Sequence, residues 1–171
     1  MLYHENDAIV ANFEKYRPLH FASELGEVEV VKKLLERGCK VDVKTNRNET
    51  PLHFAIEGTL FYDEGFEVFL ILLKHGADVN VKDNFGRGDT PLFKALKERY
   101  LKDHRRNVQL QVIQRLLIED DIDLNIRDRD GKTALQIAMD KKDMDSARMI
   151  AKKMCPKSKI TDSIYPLKCF M

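Results

Sequence analysis

Apolar residues recur along this chain at spacings of three and four, in short runs that glycine separates. The first run places its apolar side chains on one side of a predicted helix: Leu19, Ala22 and Leu25. After Gly26 the same kind of spacing predicts a second amphipathic helix: Val28, Val31, Leu34 and Leu35. Gly38 then stands where a glycine ends a helix in the left-handed conformation. We therefore expect a pair of short helices, neither of which can bury its apolar stripe alone.

Recurring motifs place the same pair of helices several times along the chain. The first motif has four copies: Arg17-Pro-Leu-His-Phe-Ala, Thr50-Pro-Leu-His-Phe-Ala, Thr90-Pro-Leu-Phe-Lys-Ala and Thr133-Ala-Leu-Gln-Ile-Ala. A second motif trails the first three copies: Leu34-Leu-Glu-Arg-Gly, Leu72-Leu-Lys-His-Gly and Leu116-Leu-Ile-Glu-Asp. A third follows soon after: Val41-Asp, Val79-Asn and Leu124-Asn. Motifs that recur in a fixed order indicate a repeat protein, whose units bury their apolar faces by stacking.

These motifs resemble those of the ankyrin-repeat family, and the resemblance covers roughly residues 12–155. It implies an all-α solenoid of stacked helix–turn–helix units joined by hairpin loops. It also implies that the threonine and histidine of the first motif hydrogen-bond to each other and to backbone, as expected for Thr50 and His53. We therefore expect His20 and His53 to be structural residues and not ligands.

The motif is incomplete in three of the four copies. His20 lacks its threonine partner because Arg17 stands there, and Phe93 replaces the histidine of the third copy. Ala134 and Gln136 replace the proline and histidine of the fourth. These departures call into question the local stability of repeats one, three and four, and not the fold.

The register of the motifs divides the chain into three parts. Residues 1–16 are expected to be an N-terminal capping segment, residues 17–155 the repeats, and residues 156–171 a C-terminal tail. The four repeats are expected at about 12–44, 45–82, 83–127 and 128–155. Polar residues on the last predicted helix suit the end of a stack. The tail either folds back on that helix or binds a partner, because four of its side chains are large and apolar: Ile164, Tyr165, Leu167 and Phe170.

Two insertions distinguish this chain from regular repeats. Pro18 and Pro51 are 33 residues apart, which is the family period, but the next two intervals between motif copies are 40 and 43. Five extra residues lie in or near 58–65 and nine lie around 98–108. Insertions in a solenoid map to loops, so we expect the first to form a loop and the second to form a loop or to extend the helices. The first insertion carries apolar residues that either bind a partner or pack over the helix ends: Leu60, Phe61, Tyr62 and Phe66. The second is basic, and it either extends the helices or contacts phosphate or an acidic peptide.

Composition and candidate chemistry favour a non-catalytic protein. Net charge is +1 and apolar content 43%, so nothing in the whole chain attracts nucleic acid or membranes. We find no nucleophile with its base, no phosphate-binding loop and no cluster of metal ligands, and we expect no enzyme activity, no cofactor and no metal. Cys39, Cys155 and Cys169 are interpreted as free thiols in a reducing compartment, with a disulfide between the last two as the alternative.

The start of the chain lacks the pattern of a signal peptide, and no apolar run approaches the length of a membrane span. We therefore expect a cytoplasmic protein, with the nucleus as an alternative, that acts as a monomer.

The family resemblance implies a binding surface for partner proteins on the hairpin tips and on the exposed face of the first helices. By position, the expected tip residues are Tyr16, Arg47, Glu49, Arg87, Asp89, Arg129 and Lys132. The expected first-helix residues are Glu24, Leu25, Glu57, Lys97 and Asp140. Phe61 and Tyr62 are added from the first insertion. The tips are mostly basic, which favours an acidic partner surface.

The resulting hypothesis is a protein–protein interaction module that masks or scaffolds a partner protein, without a small-molecule substrate. Within the family, it resembles small stand-alone proteins of two kinds: inhibitor-of-kappa-B-like proteins, and ankyrin proteins of viruses or intracellular bacteria that act on host proteins. A targeting subunit of an enzyme complex is the alternative of a different class.

Overall fold

The structure is a computed structural model that describes residues 16–84, 88–97 and 103–155, without the side chains of residues 103 and 104. Several predictions lie outside the described residues. They concern the capping segment apart from Tyr16, the tip residue Arg87, residues 98–102 of the second insertion, and the whole C-terminal tail with Cys169.

Within the described residues the chain forms eight helices and no strand, in four consecutive pairs. The helices are α1 (Pro18–Glu24), α2 (Val28–Glu36), α3 (Pro51–Phe61), α4 (Gly65–Lys74), α5 (Pro91–Lys97), α6 (Asp103–Ile118), α7 (Ala134–Asp140) and α8 (Met144–Met154). Each pair is one repeat, and hairpin segments join the pairs. The predicted all-α repeat architecture is confirmed by this order and by the packing of the pairs.

The first helices of the repeats pack in a row, from α1 to α3, α5 and α7. In the second layer α2 packs on α4, and α6 packs on α8. The motif leucine of every repeat is buried and forms one column through the stack: Leu19, Leu52, Leu92 and Leu135. The motif alanine forms another: Ala22, Ala55, Ala95 and Ala138. Because every repeat supplies the same columns, the apolar core is continuous along the stack.

Helix ends follow the motifs with one exception. Three first helices begin at the motif proline, whose missing N–H would have no partner there: Pro18, Pro51 and Pro91. Gly38 has φ 83°, which confirms the predicted left-handed end of α2. Leu25 differs, because α1 ends at Glu24 and the Leu25 side chain is 46% exposed. The prediction that Leu25 shares the buried face of α1 is therefore wrong.

The first insertion lengthens a helix. Helix α3 has 11 residues, whereas α1 and α7 have 7 each. Leu60 and Phe61 are therefore helical, and the expectation that they lie on a loop is wrong. Phe66 lies in α4 and stacks on Phe69 with ring centroids 5.9 Å apart, so it packs inwards.

Two glycines allow this lengthened helix to fit. A Cβ atom on Gly58 would lie 2.6 Å from the carbonyl oxygen of Glu24 in α1. A Cβ atom on Gly65 would lie 2.6 Å from the carbonyl carbon of Gly58. Side chains are not tolerated at such distances, so the close approach of α3 to both α1 and α4 depends on glycine at the two positions.

The second insertion extends α6, which has 16 residues where α2 has 9. Near its start, the Nη1 group of Arg105 donates to the carbonyl oxygens of Thr59 and Tyr62 at 3.3 and 3.2 Å. Its Nη2 lies 2.8 Å from Oδ1 of Asp63. These acceptors lie at the C-terminal end of α3, where helix carbonyls lack partners within the helix. The two insertions are therefore in direct contact.

Candidate protein-binding surface

The motif histidine of repeat two joins that repeat to the next. Nδ1 of His53 accepts a hydrogen bond from the N–H of Thr50 at 3.2 Å and lies 2.9 Å from the Thr50 hydroxyl. Its Nε2 lies 3.1 Å from the carbonyl oxygen of Asp89 and donates to it, because Nδ1 is already the acceptor. Burial lowers the pKa of His53 to about 3, and the nearby charge of Lys94 acts in the same direction. His53 is thus a neutral, structural residue.

Two of the incomplete motifs keep the hydrogen bond that the backbone N–H before the helix donates to a side chain three residues later. In repeat one the N–H of Arg17 donates to Nδ1 of His20 at 2.9 Å, and Nε2 of His20 lies 3.0 Å from the carbonyl oxygen of Val43. Burial also lowers the pKa of His20. In repeat four the N–H of Thr133 donates to Oε1 of Gln136 at 2.9 Å. In repeats one and four the departure from the motif therefore does not remove the bond that caps the helix.

The hairpins that precede the first helices use Asp83 and Asp128 internally, while Asp130 is exposed. Three equivalent N–H to carbonyl bonds close them: Thr45 to Glu49 at 3.0 Å, Asp83 to Asp89 at 2.9 Å and Asp128 to Lys132 at 2.9 Å. Oδ1 of Asp83 also accepts from the N–H of Asp89 at 2.8 Å. Oδ1 of Asp128 accepts from two further N–H groups of its own hairpin at 3.0 and 2.9 Å. Both carboxylates are buried, so they contribute little charge to the outer surface.

The cationic side chains of the same hairpins lie on the outside, except that Arg47 and Lys132 are half-buried. We define the basic tip edge as Lys44, Arg47, Lys82, Arg127 and Arg129. Nζ of Lys82 donates to the carbonyl oxygen of Arg127 at 2.7 Å, and Nη2 of Arg129 donates to that of Asn84 at 3.0 Å. These bonds link neighbouring hairpins while the cations stay at the surface. The outer edge of the hairpins therefore carries an excess of positive charge.

A buried cation lies on the face formed by the first helices. Lys94 is 8% exposed, and its Nζ lies 3.7 Å from Oε1 of Glu49 and makes a close ion pair with Glu57. The same Nζ lies 5.9 Å from the ring centroid of Phe54. Burial raises the pKa of Glu49, and the charge of Lys94 opposes that shift. Lys94 therefore compensates the charge of a carboxylate that would otherwise be buried alone.

Further ion pairs continue along this face. Nζ of Lys97 lies 2.5 Å from Oδ1 of Asp89 and 3.1 Å from Oδ2 of Asp128. Burial alone would raise the pKa of Asp128, but hydrogen bonds from its hairpin and from Lys97 hold it below the ordinary value. In the last repeat Nζ of Lys132 lies 2.5 Å from Oδ2 of Asp140.

At the first repeat, the Tyr16 hydroxyl donates to Oε2 of Glu24 at 3.3 Å. Burial, followed by the charges of three nearby glutamates, raises the pKa of Tyr16 above its usual range.

The structure thus brings most of the predicted site residues together, but as partners of one another or of Lys94. The paired ones are Tyr16, Glu24, Glu49, Glu57, Asp89, Lys97, Lys132 and Asp140. The expectation that Glu49 is exposed on a tip is wrong: it is 6% exposed, because its side chain turns towards Lys94. Lys94 itself was not among the predicted site residues. The sequence does indicate that it is unusual, because the other three motif copies have an apolar residue at the same position: Phe21, Phe54 and Ile137.

Phe61 and Tyr62 remain at the surface, 67% and 38% exposed. Leu25 is also exposed, while Arg47 and Arg129 belong to the basic tip edge. The predicted site therefore separates into three parts: a charged edge, an ion-paired helix face, and an apolar group at the far end of α3.

In the part of the chain that the structure describes, the histidine, cysteine and carboxylate side chains form no group of three that could hold a metal ion. None of its helices is both long and apolar enough to cross a membrane. The thiol of Cys39 is free.

A sequence model described as "Ankyrin repeats (3 copies)" matches residues 1–83, 19–115 and 63–162. Individual proteins are similar over shorter parts. The chain is 37% identical over 89 residues, 51% of its length, to the "Probable 26S proteasome regulatory subunit p28" of Saccharomyces cerevisiae. It is 38% identical over 117 residues, 68% of its length, to the "Ankyrin repeat and KH domain-containing protein mask-1" of Caenorhabditis elegans. It is 36% identical over 105 residues, 61% of its length, to human "Rabankyrin-5". The matches span 36%, 4% and 8% of these three proteins.

Proposed function

Because this chain belongs to the ankyrin-repeat family, we propose that it is a non-catalytic protein that binds an acidic segment of a partner protein along its basic tip edge. The observation that carries the proposal is the separation of charge within the hairpins. Asp83 and Asp128 are buried as hydrogen-bond acceptors, while the cations of the same segments face outwards. A surface of one sign attracts a partner of the other sign and orients it on approach.

The rigidity of the hairpins supports the same function. Each hairpin is closed by its own main-chain bond. The N–H of Asn84 donates to the carbonyl oxygen of Arg47 and links the first hairpin to the second, while Lys82 and Arg129 both link the second to the third. A surface that is ordered before binding loses little conformational entropy when the partner arrives. The ion-paired helix face has already satisfied most of its charges internally. We propose that it contributes shape to the groove and that the tip edge contributes the charge.

Site-specific photo-crosslinking in lysate of the native cells tests this proposal. A photoreactive amino acid is placed at the position of Arg129 and, as the control, at that of Gln111, which is exposed on α6. The proposal expects a partner protein that crosslinks from the first position alone, through an acidic segment that mass spectrometry identifies. Identical products from both positions, or a crosslink to a segment without acidic residues, would contradict it.

We propose that such binding masks a transcription factor or another signalling protein. The identity of the crosslinked partner tests whether this is the consequence of binding. We propose that the protein works as a monomer in the cytoplasm or the nucleus.

A second candidate is a regulatory or targeting subunit of a larger assembly. The similarity over 89 residues to a protein named as a probable proteasome regulatory subunit supports it. Size-exclusion chromatography of native lysate separates the two candidates. Migration of the whole pool with one large complex favours the subunit, and migration near the mass of the chain favours the stand-alone binder.

A further inference from the structure

Three exposed apolar residues lie at the ends of α1 and α3 that are far from the hairpins. Phe61 is the last residue of α3 and Tyr62 follows it, with their ring centroids 6.5 Å apart in an edge-to-face arrangement. Leu25 directly follows α1, and a Cβ atom on the next residue, Gly26, would lie 3.2 Å from the Cβ of Tyr62. The ends of α1 and α3 are therefore in contact. We call Leu25, Phe61 and Tyr62 the aromatic platform.

The platform is held in place by the backbone beneath it. Arg105 binds the carbonyl oxygens of Thr59 and Tyr62 from the second insertion. Gly58 and Gly65 lock the same segment against its neighbours through contacts too close for any side chain. An exposed aromatic ring normally gains free energy by folding back onto apolar surface. On this fixed backbone Phe61 remains 67% exposed, so its ring still has apolar surface to bury against a partner.

The rim of the platform is acidic. Residues 24–27 and 61–65 include four carboxylates and neither lysine nor arginine: Glu24, Glu27, Asp63 and Glu64. Arg105 lies 2.8 Å from Asp63 and balances one of them. Glu27 and Glu64 are exposed on either side of the contact between Gly26 and residues 62–65. The platform thus combines apolar contact area with negative charge, whereas the hairpin tips are positive.

We propose that the aromatic platform is a second protein-binding surface, whose occupant is a segment of another protein with an aromatic or aliphatic side chain flanked by lysine or arginine. The apolar side chain would cover Phe61 and Tyr62, which are residue types that dominate binding energy at interfaces. The flanking cations would meet Glu27 and Glu64. This inference goes beyond the proposed function, because it concerns the other end of the repeats and a partner of opposite charge.

The test uses a phage-displayed library of random peptides as the probe, selected on the immobilised full chain. Enriched peptides are synthesised, and their affinities are measured by fluorescence anisotropy at low and high salt. The variants are Phe61→Ser, the charge reversal Glu27→Lys with Glu64→Lys, and two controls. Met139→Ser removes an apolar side chain, 40% exposed, from another helix. Lys44→Glu with Arg129→Glu alters the basic tip edge.

The expected peptides combine an apolar residue with lysine or arginine. They lose about tenfold or more in affinity for Phe61→Ser and for the charge reversal, about 1.4 kcal/mol for each factor of ten, and keep their affinity for both controls. Binding weakens as salt rises. Failure to enrich any peptide, or peptide affinities that Phe61→Ser leaves unchanged, would overturn the inference.

Enrichment of acidic peptides that lose affinity only for the tip-edge variant, Lys44→Glu with Arg129→Glu, would support the proposed function and still overturn this inference. Concentration-dependent dimerisation that Phe61→Ser abolishes would also overturn it, since the occupant would then be a second copy of the chain.

Discussion

At the scale of single residues, the motif histidines show how far the sequence alone can lead. The family resemblance of the motif was enough to predict a structural role for His20 and His53. The structure supplies the reason, because a hydrogen bond across three residues caps each helix. The bond from His53 to the carbonyl of Asp89, in the next hairpin, could not be assigned to a residue from the sequence. It depends on how the repeats stack.

Replacing His53 with Gln, which repeat four uses at this position, should reduce the pH dependence of the unfolding free energy. In the unfolded chain histidine takes up a proton below about pH 6.5, whereas folded His53 does so only near pH 3. Between these values the unfolded state binds more protons, so stability falls as pH falls, by up to about 1.4 kcal/mol per pH unit.

Urea denaturation of both proteins at pH values from about 4 to 7 measures this difference. Burial raises the pKa of Glu49 and of Asp42, which changes stability in the opposite direction, but both groups are common to the two proteins. Equal slopes for wild type and variant would show that His53 titrates normally in the folded chain.

The burial and ion pairing of Lys94 were not predicted from the sequence. A lysine in a helix is usually exposed, and only its column in the motif indicated otherwise. Lys94→Met should cost about 3–5 kcal/mol of unfolding free energy, because it leaves Glu49 buried without its cation. Adding Glu49→Gln should recover part of that loss. Lys132→Met is the control, since its exposed pair with Asp140 should be worth about 1 kcal/mol or less. Equal losses for the two lysines would contradict the buried pair.

At the scale of helices, the sequence located both insertions but predicted the wrong structure for the first. Interval lengths reveal how many residues are added, and not whether they extend a helix. Phe61 was expected on a loop because insertions in a solenoid map to loops. Gly58 and Gly65 in fact serve close helix contacts, which depend on three helices that come together only in the folded stack.

Gly58→Ala should destabilise the protein by about 1–3 kcal/mol. In an isolated helix the same change would stabilise by about 1 kcal/mol. The sign reverses because the new methyl group would meet the carbonyl oxygen of Glu24 at 2.6 Å. Thermal or urea denaturation measures the change, with Gln111→Ala on the exposed face of α6 as the control. A more stable Gly58→Ala protein would show that α1 and α3 are further apart than described.

Leu73 and Phe61 test the register of repeat two. Leu73 is 7% exposed within the core, so Leu73→Ala should cost about 2–5 kcal/mol. Phe61→Ala should change stability by no more than about 0.5 kcal/mol, because its ring faces water. Both values come from denaturant unfolding curves. A large loss for Phe61→Ala would mean that its ring is structural and not part of an open surface.

At the scale of the whole molecule, the fold could be predicted because the motifs that define the register recur along the chain. The columns of leucine and alanine, the helix starts at proline and the end of α2 at Gly38 all follow from local motifs. The binding surface could be predicted only in part, since charge on a sequence does not reveal which carboxylates turn inwards. Glu49, Asp83 and Asp128 are buried by their hairpins or neighbours, and this makes the tip edge more basic than the net charge of +1 suggests.

The most direct test of the account is the affinity of the crosslinked partner's acidic segment for the chain, measured by calorimetry. Three proteins are compared: wild type, Lys44→Glu with Arg129→Glu on the tip edge, and Lys152→Glu with Lys153→Glu on the exposed face of α8. The account predicts that the tip variant binds about tenfold or more weakly than wild type, while the α8 variant binds like wild type. Equal affinities for wild type and the tip variant, with both proteins folded, would contradict the claim that the basic tip edge is the binding surface.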